Sequence, residues 1–210
     1  MIAIIDYDAG NIKSVEKALL FLQEETVLTR DPEKLLAAEK VILPGVGSFG
    51  DAMGKLKDYG LIEVIRRIVE KGTPFLGICL GLQLLFESSE ESPGVEGLGI
   101  LKGKIIRIPE GKGPDGCPLK IPHIGWNSLD FPKKGRLFSN LPAQPYVYFV
   151  HSYYLKAEED IVTARTEYGV AIDASVEKGN VFACQFHPEK SSDTGLQILK
   201  NFVAIGRKEG

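Results

Sequence analysis

The chain has 210 residues, a formal net charge of −3 and a hydrophobic content of 44%, which is ordinary for a soluble globular chain. This charge gives no general basic surface for nucleic acid, and no apolar run reaches the length of a membrane span. Three cysteines at scattered spacings indicate neither a disulfide framework nor a zinc site. We therefore expect a single cytoplasmic domain over residues 1–210, with no part in nucleic-acid or membrane binding.

The first half of the chain predicts strands alternating with helices. Apolar residues recur at helical spacing over residues 15–22 and 61–69. Short apolar segments predict buried strands at residues 2–5, 25–29, 41–43 and 75–78. This alternation is typical of a parallel sheet with helices on both faces.

The second half predicts short strands separated by turns, and a last helix from about Ser192. The strand-like segments are residues 100–108, 126–131, 146–150, 153–157, 161–166 and 176–184. Glycine, proline and charged residues over 110–118 predict a loop. The expected fold class is therefore α/β, an open and mostly parallel sheet flanked by helices, with an antiparallel extension.

A nucleophile motif joins the strand at 75–78 to the next helix. Residues 77–81 are Gly-Ile-Cys-Leu-Gly, in which the glycines let a strand turn sharply into a helix and leave the central side chain exposed. The helix N-terminus favours a thiolate at Cys79, and the N–H of Leu80 is free to face an oxyanion. A small buried cysteine between two packing glycines is the alternative for this motif taken alone.

A second motif, Gln-Phe-His-Pro-Glu at residues 185–189, supplies a base and a carboxylate. The proline forces His187 into an extended conformation, so His187 and Glu189 point the same way. This is what a cysteine nucleophile needs, although a surface loop with a chance His-Glu pair is the alternative. His151 is expected to be a hydrogen-bonded structural residue, whereas His123 could be either a structural or a functional residue.

Two further features fit the same chemistry. The turn Pro-Gly-Val-Gly at 44–47 offers unobstructed N–H groups for an oxyanion, although a plain tight turn is the commoner use of Pro-Gly. Gln83 lies one helical turn after Cys79 and could contact an amino-acid substrate; a capped or solvated glutamine is its alternative.

Taken together, residues 75–83 and 186–189 resemble the nucleophile block and the His/Glu block of the class I (triad) glutamine amidotransferases. Other stretches resemble, within that class, the glutaminase subunits that supply ammonia to a separate (β/α)8 cyclase subunit. These stretches are residues 6–11, 43–50, 83–91, 122–127, 148–153 and 187–191. One departure is Ala9, where some members carry proline, which bears on the stiffness of that loop.

The resemblance implies roles for particular residues. Cys79 is the nucleophile, His187 the base and then the acid, and Glu189 the residue that orients it. The oxyanion hole is lined by Leu80, Gly45, Val46 and Gly47. The glutamine substrate is held by Gln83, Glu91, Ser152 and Tyr153. The partner cyclase is faced by Asn11, Trp126 and Lys190.

The implied reaction is hydrolysis of glutamine to glutamate and ammonia, with no cofactor and no metal. In a one-to-one heterodimer, the cyclase adds the ammonia to a phosphorylated ribulosyl intermediate of histidine biosynthesis. A glutaminase for an anthranilate or aminodeoxychorismate synthase is the alternative within the class, and residues 122–127 and 87–91 argue against it. An esterase or peptidase would turn over without a partner, and a non-catalytic redox or binding module would not need Glu189.

Overall fold

A computed structural model describes residues 1–113 and 116–206, and within them the chain forms a ten-stranded sheet and a two-stranded sheet. The strands are β1 (Ile2–Ile5), β2 (Thr26–Thr29), β3 (Lys40–Leu43), β4 (Phe75–Ile78), β5 (Ser88–Ser89), β6 (Gly103–Arg107), β7 (His123–Ser128), β8 (Tyr146–His151), β9 (Tyr153–Ala157), β10 (Val162–Glu167), β11 (Ala171–Lys178) and β12 (Val181–Cys184). The α-helices are α1 (Ile12–Phe21), α2 (Pro32–Ala37), α3 (Phe49–Asp58), α4 (Leu61–Glu70), α5 (Leu80–Leu84) and α6 (Ser192–Ala204).

The large sheet has the order β2-β1-β3-β4-β12-β11-β9-β6-β5, with β10 paired to β11. Its first five strands are parallel neighbours, and the strands from β12 to β6 pair antiparallel. The predicted fold class is therefore confirmed: a mostly parallel sheet with an antiparallel extension.

Alternate residues of the parallel strands enter two apolar cores on opposite faces of the sheet. Ile5 packs with residues of α2, α3 and α4, whereas Ile4 packs with residues of α1 and α6. This burial on both faces explains why β1 and residues 41–43 of β3 are apolar runs without alternation. Within the described residues, no helix is both long and apolar enough to cross a membrane.

Three details of the second half differ from the prediction. The segment 176–184 is not one strand, because a turn at Gly179, with φ 59°, separates β11 from β12. Strands β7 and β8 pair only with each other, as a separate antiparallel ribbon and not as part of the extension. In the predicted loop 110–118, Lys112 and Pro118 form an antiparallel bridge, and residues 114 and 115 lie outside the described residues.

Candidate active site

A cavity of about 330 Å³ opens beyond the carboxyl ends of β3, β4 and β12. Ligands bind at this edge of open α/β sheets. The cavity is lined by Val46, Gly47, Cys79, Leu80, Gln83, Glu91, Pro122, Val150, His151, Ser152, Tyr153 and His187. Gly45 and Glu189 line a smaller pocket, which His187 and Val46 also border. The residues predicted for catalysis and glutamine binding are therefore brought together around two adjoining spaces, which share Val46 and His187.

Cys79 occupies a strained turn between β4 and α5. Its backbone has φ 54° and ψ −110°. For a residue other than glycine, this conformation raises the free energy of the folded state by on the order of 1–3 kcal/mol. Its N–H donates to the carbonyl of Cys184 at 2.8 Å, which ties the turn to β12. A Cβ at Gly81 would stand 1.9 Å from the carbonyl oxygen of Leu43, so only glycine lets α5 pack this close to β3. The packing thus fixes the thiol at the cavity wall.

His187 and Glu189 follow β12 and form a buried pair. His187 is extended, with φ −100° and ψ 96°, as expected of a residue before proline. Its Nδ1 lies 2.8 Å from Oε1 of Glu189, and both side chains are almost fully buried. The N–H of His187 donates to the carbonyl of Tyr148 on β8, and Ser191 Oγ donates to the carbonyl of His187. The imidazole therefore has one orientation.

The electrostatics of His187 favour its charged form. Burial opposes the imidazolium, but the neighbouring Cys79 and Glu189 outweigh it and raise the pKa of His187 to about 10. Its Nε2 is buried and has no hydrogen-bond partner of good geometry among residues 1–113 and 116–206. A buried imidazole nitrogen that lacks a hydrogen-bond partner and lies beside a thiol is expected of a group that transfers a proton.

The turn at 44–47 presents a carbonyl to the nucleophile turn. The N–H of Leu80 donates to the carbonyl oxygen of Gly45 at 3.4 Å. Gly47 has φ +102°, which favours glycine, and Val46 is partly exposed. The hydroxyl of Tyr7 donates to the carbonyl of Pro44 at 2.8 Å, and burial raises the pKa of Tyr7, so it stays a donor. One end of the turn is therefore anchored by Tyr7, and the other end has a glycine, Gly47, in a conformation that other residues rarely adopt.

The residues predicted to hold glutamine lie on three sides of the cavity. Gln83 is nearly buried, and its Nε2 donates to the carbonyl of Tyr153 at 3.2 Å. Glu91 accepts from the N–H of Phe49 at 2.7 Å, which connects it to the start of α3. Ser152 is the link between β8 and β9, and Tyr153 is the first residue of β9. Polar groups from α5, from the segment after β5 and from this link therefore converge on the cavity.

The residues predicted to face the partner have different surroundings. Trp126 on β7 is 51% exposed and contacts Tyr148 edge to face. Lys190 is exposed just after Glu189. Asn11 is only partly exposed, because its Nδ2 donates to Oε1 of Glu189 at 3.0 Å. Asn11 thus contacts the buried pair directly.

Sequence reasoning did not identify Gln185, Pro122 or Val150 as site residues. Gln185 is fully buried, and its Nε2 lies 3.7 Å from the Cys79 sulfur. Its position immediately before Phe186 in the His/Glu motif was the one available signal. Pro122 and Val150 reach the cavity through the β7–β8 ribbon, whose position the sequence does not indicate.

A buried histidine pair forms part of the same ribbon. His151 lines the cavity, as the sequence did not predict, and its Nε2 lies 3.1 Å from Nδ1 of His123. Its Nδ1 must donate to the carbonyl of Tyr153, 2.9 Å away, so Nε2 accepts and His123 donates. Burial lowers the pKa of each histidine to about 4, so the pair is neutral. His151 therefore has the hydrogen-bonded structural setting that was expected.

No group of three or more His, Cys, Asp or Glu side chains within residues 1–113 and 116–206 could hold a metal ion. A strained thiol, an imidazolium and a buried carboxylate are suited to attack on a carbonyl carbon and to proton delivery to the leaving group.

The glutamine amidotransferase class-I family model matches residues 3–205. Imidazole glycerol phosphate synthase subunit HisH of Moorella thermoacetica is 51% identical over 210 residues, covering 100% of this chain and 97% of that protein. The HisH subunit of Methanocaldococcus jannaschii is 48% identical, covering 98% of this chain and 100% of that protein. The structure of PurLQS from Thermotoga maritima has a TM-score of 0.73 at 22% identity, covering 98% of both chains, and shows likeness of fold.

Proposed function

Because this chain belongs to the class-I glutamine amidotransferase family, we propose that it is the glutaminase subunit of an imidazole glycerol phosphate synthase. It hydrolyses glutamine to glutamate and ammonia within a single amidotransferase domain. The ammonia passes to a (β/α)8 cyclase subunit, as the sequence resemblance implies. The relatives at 48% and 51% identity carry this subunit name, which argues against the anthranilate or aminodeoxychorismate alternative.

One observation carries the proposal. The Cys79 thiol is held on a strained turn at the wall of a cavity that His187 also lines, and Glu189 is hydrogen-bonded behind His187. The site therefore contains, in this spatial order, a nucleophile, a base and the residue that orients the base. The alternative of a structural cysteine does not account for the strain, because packing alone would favour a relaxed backbone.

In the first half of the reaction, the Cys79 thiolate attacks the carboxamide carbon of glutamine and forms a C–S bond. The His187 imidazolium, favoured by its pKa of about 10, donates its Nε2 proton to the departing nitrogen. Ammonia leaves and a thioester remains. Glu189 accepts from Nδ1 throughout, which keeps Nε2 directed at the reacting atoms and stabilises the imidazolium.

In the second half, His187 is neutral and removes a proton from water as the water attacks the thioester carbon. The C–S bond breaks, glutamate forms, and the thiolate and imidazolium are restored. Both tetrahedral intermediates carry a negative oxygen, which Leu80 N–H and an N–H of the 44–47 turn would stabilise. The substrate amino and carboxylate groups would meet Gln83, Glu91, Ser152 and Tyr153, which line the same cavity.

The oxyanion donors are incomplete in the observed turn, and we propose that the partner completes them. The Gly45 carbonyl meets the N–H of Leu80, so it occupies the direction that an oxyanion requires. Rotation of the peptide between Gly45 and Val46 would replace this carbonyl with an N–H, and the flanking glycines tolerate that change. One such donor contributes about 3 kcal/mol, or roughly a hundredfold or more in rate.

The surface for the partner is the outer face of the β7–β8 ribbon. Ile124, Trp126 and Tyr146 are exposed there at 59%, 51% and 59%. An exposed apolar patch with an aromatic anchor suits a protein interface, and His151, on the other face of the ribbon, lines the cavity. We also propose a cytoplasmic location, because the reaction requires Cys79 to remain a thiol; Cys79 and Cys184 are both free.

The proposal is tested by ammonia release from glutamine, measured for the chain alone, with the cyclase subunit, and with the cyclase and its ligand. We expect slow release alone and a rise of about a hundredfold in kcat with the liganded partner, with little change in KM. A Cys79→Ala preparation reports any contaminating glutaminase. No release from the liganded complex would refute the function, and full activity of the lone chain would refute the control by the partner.

A further inference from the structure

The side chain of Gln185 lies beside the nucleophile and has no part in the mechanism above. Gln185 is 0% exposed and follows β12 at the point where Cys184 pairs with Ile78 of β4. This parallel pairing brings its Nε2 to 3.7 Å from the sulfur of Cys79, within hydrogen-bonding range for sulfur. A fully buried polar side chain that points at the reacting sulfur is expected to have a role in the structure or in catalysis.

The neighbouring groups fix which end of the Gln185 amide faces the sulfur. Nε2 of Gln83 donates to the carbonyl of Tyr153, which can only accept, so the NH2 end of Gln83 is identified. The same Nε2 lies 3.0 Å from Oε1 of Gln185 and donates to it as well. If the Gln185 amide were flipped, its NH2 group would face the NH2 group of Gln83, and neither group could accept a hydrogen bond. The NH2 group of Gln185 must therefore point at Cys79.

An N–H donor on this sulfur acts selectively on its charged form. A thiolate accepts a hydrogen bond more strongly than a thiol, so the contact favours the thiolate and restricts the direction of the sulfur. Unlike His187, the amide of Gln185 keeps its proton throughout the cycle. It can therefore stabilise negative charge on the sulfur in either protonation state of the imidazole, including the moment when the thiolate leaves the thioester.

We propose that Gln185 is a positioning residue that holds the Cys79 thiolate in its attacking orientation, and that Gln83 locks it there from the Tyr153 side of the cavity. The catalytic part of this inference rests on the proposed glutaminase function. The contact with sulfur does not, because it affects any reaction of the Cys79 thiolate. Gln83 therefore connects two parts of the site. It bonds to Tyr153, in the segment proposed to bind substrate, and to Gln185, which orients the nucleophile.

The test is the rate of Cys79 alkylation by iodoacetamide as a function of pH, followed by peptide mass spectrometry in the full chain. Gln185→Glu keeps the oxygen that Gln83 bonds and removes the donor, whereas Gln185→Leu removes both. Ser175→Ala, which deletes a buried hydrogen bond to Ala183 on the neighbouring strand, is the matched control. Circular dichroism checks the folding of each variant.

We expect the pH of half-maximal alkylation to rise by about one unit in Gln185→Leu and by more in Gln185→Glu. Ser175→Ala should keep the wild-type profile. With the liganded cyclase, kcat of Gln185→Leu should fall about tenfold while KM for glutamine stays within about twofold. Profiles of both Gln185 variants that match the control would overturn the proposal.

If the Gln185 variants do not fold, Gln83→Met decides the matter. It unlocks the Gln185 amide without touching the sulfur, so it should shift the alkylation profile in the same direction by a smaller amount; an unchanged profile would overturn the proposal. A shift in these variants, together with wild-type protein that releases no ammonia, would support the contact with sulfur and remove only the glutaminase function.

Discussion

Asn11 and Glu189, which are 178 positions apart in the chain, are joined by a hydrogen bond of 3.0 Å from Nδ2 to Oε1. The same Oε1 lies 2.8 Å from Nδ1 of His187. Ser14 Oγ in turn donates to Oδ1 of Asn11 at 2.7 Å, which fixes the amide with its NH2 towards Glu189. A residue expected at the partner interface is therefore one hydrogen bond away from the residue that orients His187.

Asn11→Asp should lower kcat by about ten- to a hundredfold with little change in KM. It replaces a donor by a carboxylate that repels Glu189, and a hydrogen bond to a charged group is worth about 1.5–3 kcal/mol. Asn11 has φ 64°, which Asp and Gly tolerate, so the backbone is not strained in either variant. Asn11→Gly, which only deletes the donor, should lose less. Steady-state kinetics of the complex measure both, and equal activity of wild type and Asn11→Asp would contradict the coupling.

A glutamine analogue with a thiol-reactive group should modify Cys79 alone. Cys184 is fully buried, and burial raises its pKa well above the ordinary value, so it is a poor nucleophile. Cys117 is exposed but lies far along the chain from the nucleophile turn and does not line the cavity. Mass spectrometry should find one label that excess glutamine prevents. Comparable labelling of Cys184 or Cys117 would count against the role of the turn.

The positions of Cys79, His187 and Glu189 could be predicted because local rules determine them. Glycines around Cys79 set the sharp turn, and the proline after His187 sets its extended backbone. Gln185 and His151 could not be predicted in the same way. Gln185 reaches Cys79 through the pairing of β12 with β4, and His151 reaches the cavity because of how the β7–β8 ribbon is placed. Such registers depend on contacts between distant segments.

The same limit explains the errors in the fold. Helix α3 (Phe49–Asp58) was not predicted, because its sequence holds two glycines and several charges, and only one face is apolar. Its buried residues Phe49, Met53 and Leu56 become recognisable as a face once the helix is known. The turn at Gly179 is a different case, because Lys178, Gly179 and Asn180 are turn residues that the sequence itself offers.

The buried pair of His123 and His151 should make the protein lose stability in mild acid. Each folded pKa is about 4, against an ordinary value of 6.5, so the unfolded state binds more protons between these values. The contribution is complete above pH 6.5 and is lost as the pH falls towards 4, with a slope of up to about 1.4 kcal/mol per pH unit for each proton. His187, whose pKa is raised to about 10, acts in the opposite sense: it stays protonated in the folded state, and it adds a slope only near and above pH 6.5, where the unfolded state loses its proton.

Urea unfolding at several pH values between 7.5 and 4.5 checks this prediction. His151→Asn removes one titrating group while leaving an amide that can donate to the carbonyl of Tyr153. Its free energy of unfolding should depend less on pH than that of the wild type. Parallel pH profiles for the two proteins would show that the pair is not the source of the slope.

Trp126→Ala should leave the chain folded and weaken its binding to the cyclase. The side chain is 51% exposed, so its removal should change the free energy of unfolding by less than about 1 kcal/mol. Binding should lose about 2 kcal/mol or more if Trp126 is an anchor of the interface. Urea unfolding and titration calorimetry measure the two quantities, with Trp126→Phe as a conservative control. An unfolded variant, or unchanged affinity, would contradict the interface assignment.

The most direct test of the central claim is product formation by the complex of Cys79→Ala with the cyclase, supplied with either glutamine or an ammonium salt. Cys184→Ala, which removes the other buried thiol, is the matched control and should retain both activities. We predict that Cys79→Ala loses glutamine-dependent synthesis by several orders of magnitude and keeps ammonium-dependent synthesis within about twofold. Retained synthesis from glutamine, or loss of both activities, would contradict the assignment of Cys79 as the nucleophile of a glutaminase.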